Sequence, residues 1–388
     1  MGVSYKSRLV LWTLAGGRCQ FQGCNAPLLG DLISGDKALN KAYVAHIVAE
    51  TPGGPRGDPV LSKQLVDDVS NLMLMCDPHH RLIDGPATWR DYPVERLQAM
   101  KVRHEARIET GHSLHEDRGS HILLYGARVG EHDVPLRFDL AAQALRPDRW
   151  AAEPRAIQLE MSGVMTADHE AAYWPLQAEN LRRLFELRVR ERIVRGDIRH
   201  LSVFALAPQP LLVECGRLLG DIAAVTVHQL HREPQGWDWR ALRPPLAYQV
   251  GRPDGAGRRV ALKLGLSATI TDERIQAVLG QVPIWSISVE RPHNDILHRT
   301  EDLAAFRSTL RTVFDDIKAQ HGEDAVIHVF PALPVAAAVE MGRVWMPKAD
   351  LPLVVHDQCR QAGGFRPRLT VGSVGDDAFY LQPETLDA

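Results

Sequence analysis

No stretch of this 388-residue sequence stays apolar for the roughly 20 residues that a membrane helix needs. Low-complexity tracts are absent as well. Cysteine is scarce. There are five, an odd number, and three of them fall in the first 76 positions. That weighs against a disulfide framework and favours a metal site in a reducing compartment. The opening run Met1-Gly-Val-Ser-Tyr-Lys lacks a signal-peptide pattern, so the expected location is the cytoplasm. Net charge is only −3, so any contact with nucleic acid must rest on local basic patches. No Gly-x-Gly-x-x-Gly follows a strand-like run, which argues against a metabolic dinucleotide-binding domain. What is present is the composition of a soluble globular protein, 45% hydrophobic and 24% charged, long enough for two domains.

The first 110 residues concentrate the chemistry. Residues 5–15 read as a helix stopped by Gly16-Gly17. Then Cys19 and Cys24 form a Cys-x4-Cys knuckle with a glycine for its turn, and Cys76 and His79 form a Cys-x2-His pair. Two close pairs of soft or borderline ligands, separated by a long insert, are what a closed tetrahedral zinc site needs. The alternative is a set of unrelated buried thiols. Between the pairs, residues 42–46 read as a strand carrying His46 near its end, and a Gly/Pro-rich loop follows. The apolar run 71–75 leads from Asn71 into Cys76, and His79 onward reads as a short helix. Residues 93–109 read as an amphipathic helix with Val94, Leu97, Met100, His104 and Ile108 on one face and Gly111 as its stop.

A strand histidine, an Asn-Leu-x-x-x-Cys-x-x-His-His run and flanking ligand pairs resemble the HNH endonuclease family, whose core is a ββα-metal finger. The resemblance implies that His46 is the general base, Asn71 the central asparagine and His80 the ligand of a catalytic divalent metal such as Mg2+. It assigns His79 to a structural Zn2+ site with Cys19, Cys24 and Cys76. The residue types suit phosphodiester hydrolysis, because imidazole can activate water near neutral pH and a hard cation neutralises phosphate charge. One position departs from the pattern. Many members place an Asp before the base, and here it is Ala45, which cannot coordinate. The metal would then rest on His80 with water, phosphate and Glu50, Asp84 or a backbone carbonyl.

Residues 111–120 are polar and aperiodic and read as a linker. Runs at 121–126 and 134–138 look like strands. Beyond them the chain repeats itself, in pseudo-repeats of about 150–235 and 280–365. Pro208, Glu214 and Gly216-Arg217 fall on Pro334, Glu340 and Gly342-Arg343 at an offset of 126. His228 matches His356 at a slightly larger one. Strand-like 157–161 precedes a helix with Leu181, Leu184, Phe185, Val189 and Ile193. Strand-like 284–289 precedes one with Leu303, Phe306, Leu310, Val313, Phe314 and Ile317. This βαβαβ order is the signature of a parallel sheet, and two such units make a cleft at the carboxyl ends of their strands. The fold class expected is α/β, a duplicated Rossmann-like unit behind an α+β domain.

The runs 207–213, 216–221, 227–239 and 330–350 resemble a SAVED domain, a CARF-like sensor of cyclic oligonucleotides. Together the two halves look like the HNH–SAVED effector nucleases of bacterial CBASS antiphage defence. That resemblance implies domains at 1–110 and 121–388 and a cyclic di- or trinucleotide as activating ligand. It further implies double-stranded DNA as substrate and a homodimer that assembles further, for example to a tetramer. In the cleft, Tyr173, Trp174 and Trp345 offer stacking faces, and Arg232 and Lys348 offer charge. Pro208, Gln209 and Pro334 mark helix N-termini that can face phosphates. The competing reading is a catalytically inactive zinc-finger DNA-binding regulator under nucleotide control, motivated by Ala45.

Overall fold

The structure is a computed structural model that describes residues 2–30, 35–112, 116–127, 136–160, 166–170, 172–240, 243–359, 361 and 363–372. The chain divides into two compact units, residues 1–115 and 116–388.

The first unit opens on the helix Tyr5–Ala15, capped by the Ser4 hydroxyl, which accepts from the Ser7 N–H. Gly16, at φ +59°, ends it in the left-handed conformation. The strand Ala42–His46 pairs antiparallel with Leu72–Cys76, setting Ala42 opposite Cys76 and His46 opposite Leu72. Leu72, Met73, Leu74 and Met75 are all fully buried, so both faces of this strand are covered. The helix Asp77–Asp84 follows at once. It starts two residues earlier than the sequence suggests, because Pro78 fits a first helical turn. The helix Val94–His112 buries Leu97, Met100 and His104 as its pattern predicts, with Lys101 beside them. It runs past Gly111, which lies inside its last turn and does not stop it.

Among its described residues the second unit holds two large sheets and a small antiparallel pair, His231–Arg232 with Gln235–Gly236. In the first, Ile157–Gln158, Gly119–Gly126, His200–Leu206 and Ala224–Val227 lie side by side and parallel. In the second, Ile284–Ser288, Arg259–Gly265, Val326–Ala332 and Leu353–Cys359 repeat that order, also parallel. Antiparallel edge strands Gln249–Gly251 and Gly364–Val371 extend the second sheet. Each half therefore begins one strand earlier than the sequence repeat, at Gly119–Gly126 and Arg259–Gly265. The loops after these strands differ in length, which hides the match at a constant offset. Gly119 and Ser120, read from sequence as linker, belong to a central strand. Of the strand expected at 134–138, the described residues 136–138 form no strand. Residues 134–135 lie outside the described residues, and Phe138 opens the helix Phe138–Ala144. The strand expected at 157–161 is limited to Ile157–Gln158, with Met161 outside the described residues.

The helices also correspond. Tyr173–Phe185 continues through a π-helical turn, Glu186–Arg190, and answers to Thr300–His321. Gln209–Leu219 answers to Val335–Val344, and these two helices pack against each other. Duplication extends to side chains. Phe204 stacks on His228 at 4.3 Å, and Phe330 stacks on His356 at 4.4 Å. Arg217 holds the buried Glu214 at 2.6 Å, and Arg343 holds the buried Glu340 at 2.6 Å. Among the described residues no helix is long and apolar enough to cross a membrane.

Candidate functional site

The ligand atoms of Cys19, Cys24, Cys76 and His79 all lie within 4.8 Å of one another. Local structure explains how. Gly23, at φ +82°, makes the turn between the first two cysteines, and Cys76 and His79 flank the start of the helix Asp77–Asp84. The Cys24 and Cys76 sulfurs are 4.0 Å apart, and His79 Nδ1 is 3.1 Å from Cys76 Sγ and 3.8 Å from Cys19 Sγ. A tetrahedral zinc with bonds of about 2.3 Å spaces its sulfurs by roughly 3.8 Å, so the donor set fits that ion. Burial pushes the Cys19 thiol up to about 12, so a cation binding there would displace its proton. Phe21 stacks flat on the His79 ring at 4.1 Å and closes that side of the cluster.

His80, the next residue, points elsewhere. Its ring stacks on Tyr43 at 5.0 Å, and Nε2 lies 3.6 Å from Asp84 Oδ2, one helical turn on. His46 closes its strand, with Nε2 3.0 Å from the Val66 carbonyl. A carbonyl can only accept, so Nε2 carries the hydrogen and Nδ1 of the neutral ring keeps a free lone pair. Asn71 is buried and holds both sides of this arrangement. Its Oδ1 accepts from Val48 N at 2.8 Å, and its Nδ2 donates to the carbonyls of Val48 and Leu65. Val48 follows His46 by two residues, and Leu65 precedes Val66. Ala45 is buried in the apolar core, and Glu50 is exposed in the next loop.

A residue that sequence patterning passed over ties these parts together. Arg56 donates to the carbonyls of Ile47 and Ile83 at 2.7 Å each, and to that of His46 at 3.4 Å. It also pairs with Asp84 Oδ1 at 2.6 Å, with its own side chain only 3% exposed. One guanidinium thus joins the end of the His46 strand to the end of the His80 helix. The loop makes this reach because Arg56 adopts φ +61° and Gly57 sits where a Cβ would meet backbone carbonyls.

In the second unit, Pro208 and Pro334 cap the helices Gln209–Leu219 and Val335–Val344. Gln209 Oε1 accepts from Leu333 N, so the two proline turns touch. Gln229 Oε1 accepts from Ala336 N and occupies a donor at the start of the second of these helices. Burial alone would raise the Glu214 carboxyl, but hydrogen bonds from Arg217 and Arg182 hold it below the usual range. Arg232 and Lys348 are exposed. Tyr173 and Trp345 are core residues, and the Trp345 indole N–H is committed to the Leu351 carbonyl, so neither offers an open stacking face. Trp174 is also buried, with Arg368 over its ring at 5.2 Å. Near Arg368 stands Asp357, the counterpart of Gln229, whose carboxyl is pushed up to about 7 by burial and by the Asp168 charge. Arg368 Nε is buried with no hydrogen-bond partner among the described residues. Asp357 lies in the strand Leu353–Cys359 and Arg368 in Gly364–Val371, and the sequence repeat, which sets a glutamine opposite Asp357, does not mark them as a pair.

Residues 181–371 match the family described as "SMODS-associated and fused to various effectors sensor domain", or SAVED. That stretch, just under half of the chain, is therefore similar to a SAVED sensor domain. No curated protein matches the chain. Solved structures similar to it include the Acinetobacter baumannii Cap4 SAVED/CARF-domain receptor with the cyclic trinucleotide 2'3'3'-cAAA. That likeness has 9% identity and a TM-score of 0.44, over 72% of this chain and 60% of that one. The same receptor with 3'3'3'-cAAA gives 10%, 0.41, 71% and 60%, and the Moraxella osloensis Cap4 receptor 9%, 0.39, 81% and 70%. The chain thus spans about 60% of the length of the Acinetobacter receptor.

Proposed function

We propose that the SAVED domain senses a cyclic di- or trinucleotide and gates a metal-dependent DNA endonuclease in the first unit, as an effector of antiphage defence. The observation that carries the nuclease reading is the His46 arrangement. Val66 takes the Nε2 hydrogen, and Asn71 pins the loops on either side. His46 Nδ1 is left to take a proton from an attacking water, and the Val66 carbonyl stabilises the imidazolium that results. His80 and Asp84 would hold the divalent cation, which supplies charge neutralisation at the phosphate and the leaving oxygen. Arg56 fixes Asp84 and the end of the His46 strand, so it is a positioning residue. Cys19, Cys24, Cys76 and His79 would hold a structural Zn2+ that fastens the knuckle to the start of the helix. Nucleotide binding would bring finger units of an oligomer together so that both strands of a duplex are cut.

Purified full chain is to be incubated with linear duplex DNA, Mg2+ and a panel of cyclic di- and trinucleotides. Cleavage should need both metal and nucleotide and should vanish in His46→Ala. Full activity without nucleotide would remove the gating, and full activity in His46→Ala would remove the base. Ala45 favours a second reading, a DNA-binding regulator without catalysis. Intact DNA under every condition, with nucleotide-dependent DNA binding, would select it.

A further inference from the structure

A second cluster of metal-capable side chains lies wholly within the sensor unit. One ligand atom each from His231, Asp295 and His298 falls within 4.8 Å of the others. His231 sits just beyond the strand Ala224–Val227 of the first half, and Asp295 and His298 lie beyond Ile284–Ser288 of the second. Both segments leave the carboxyl ends of parallel strands, so the cluster joins the two halves of the duplicated fold. His231 stands 64 residues before Asp295, which hides it from any spacing motif with the Asp295 and His298 pair.

The local chemistry is that of a metal ligand set. His231 is fully buried. Its Nδ1 is 2.8 Å from Asp295 Oδ1, close enough for both atoms to face one ion. Its Nε2 is buried with no hydrogen-bond partner among the described residues, and so is His298 Nδ1. An orphaned imidazole nitrogen such as His298 Nδ1, buried beside a second histidine and a carboxylate, is costly unless something binds it. The rings lie 5.3 Å apart and within 5° of parallel. Arg240 stands 3.6 Å from Asp295 Oδ2. Its Nη1 and Nη2 donate to the carbonyls of Glu233 and Pro234, leaving Oδ1 to the histidine side. The Trp239 ring meets His231 edge-on and walls the cluster.

We propose that His231, Asp295 and His298 form a metal site of the sensor unit, taking a divalent transition ion of the zinc class and clipping the first half of the fold to the second. Two imidazoles and a carboxylate suit zinc better than Mg2+ or Ca2+, which prefer all-oxygen shells. The site is independent of the nuclease reading. The partly buried His298 gives it a route for exchange.

The test uses the full chain, stripped with a chelator and reloaded with Zn2+ or Co2+. Wild type should bind one equivalent more than His298→Ala, measured by plasma mass spectrometry. The thiolate-to-cobalt charge-transfer band, which only the cysteine cluster can produce, should be equal in both. Zn2+ should raise the unfolding midpoint of wild type above that of the variant, whereas in chelator the two midpoints should agree. If His298→Ala fails to fold, Asp295→Asn replaces it with the same expectations. Equal metal content in wild type and a folded variant would overturn the site, as would an extra equivalent that survives both substitutions.

Discussion

Gly216 and Gly342 face each other where the helices Gln209–Leu219 and Val335–Val344 of the second unit cross. A Cβ on Gly216 would overlap the carbonyl oxygen of Val339 and stand 3.0 Å from the Arg343 nitrogen. A Cβ on Gly342 would overlap the carbonyl oxygen of Val213 and stand 2.7 Å from the Arg217 nitrogen. The contact is reciprocal, so it marks the pseudo-twofold axis relating the halves. The sequence repeat has a physical cause at these positions, since only hydrogen lets the backbones approach this closely.

Gly216→Ala or Gly342→Ala should therefore destabilise the second unit by about 3 kcal/mol, at the upper end of overpacking costs, because backbone must move. Tryptophan fluorescence is a suitable probe, since six of the eight tryptophans lie in the second unit. The contrast is Gly111→Ala, inside a helix with nothing within 4 Å of the added methyl. It should stabilise by up to about 1 kcal/mol. An unchanged midpoint in Gly216→Ala would mean the helices do not cross there.

Arg56→Lys keeps the charge but loses the planar fork that reaches three carbonyls and a carboxylate. The stranded acceptors should cost about 2 kcal/mol. Under the nuclease reading, the Mg2+ concentration for half-maximal cleavage should rise, because Asp84 is no longer held. Metal bound by the cysteine cluster should not change. A variant with wild-type Mg2+ dependence would leave Arg56 a purely structural role.

Burial depresses several histidines of the second unit, among them His200, His228 and His328, which fall to about 4, and His356, which falls to about 3. Between pH 6.5 and about 4 the unfolded chain binds protons that the folded one refuses. Stability is thus fully present above pH 6.5 and is lost as pH falls, by about 1.4 kcal/mol per pH unit for each histidine in its window. Thermal unfolding from pH 7.5 to 4.5 should show the midpoint dropping steeply below 6.5. His228→Gln should shallow that slope, and a flat profile would contradict the buried neutral state.

Asp357 has the opposite sign of effect. Its raised value, about 7, means the folded state holds a proton that the unfolded state releases near pH 4. Stability is lost as pH rises between these values. Asp357→Asn removes the charge at constant shape, so it should raise the midpoint at pH 8 and leave it unchanged below pH 4. Equal midpoints at pH 8 would show that Arg368 already neutralises the carboxylate.

Residue chemistry at short spacing was readable without a fold. Cys19, Cys24, Cys76 and His79 come together as their two pairs suggest, because the knuckle and the helix start are each local. The apolar run before Cys76 had to be a covered strand, and the 126-residue offset had to be a duplication of structure. The division of His79 from His80 also follows from local geometry, as adjacent residues on a helix point to different sides.

Tertiary structure alone decided the rest. Arg56 lies in a Gly/Pro-rich loop without periodicity, and its four partners come from both sides of it in sequence. The first strand of each half escaped the repeat because the loops after Gly119–Gly126 and Arg259–Gly265 differ in length. Tyr173 and Trp345 looked like stacking faces, since an aromatic side chain reads the same whether it lines a cleft or fills a core. His231 lies 64 residues before Asp295, so no short spacing links it to the Asp295 and His298 pair. Composition and short spacing determine which chemistry a chain holds, whereas long-range packing decides which of those groups meet, because burial and approach depend on residues far away in sequence.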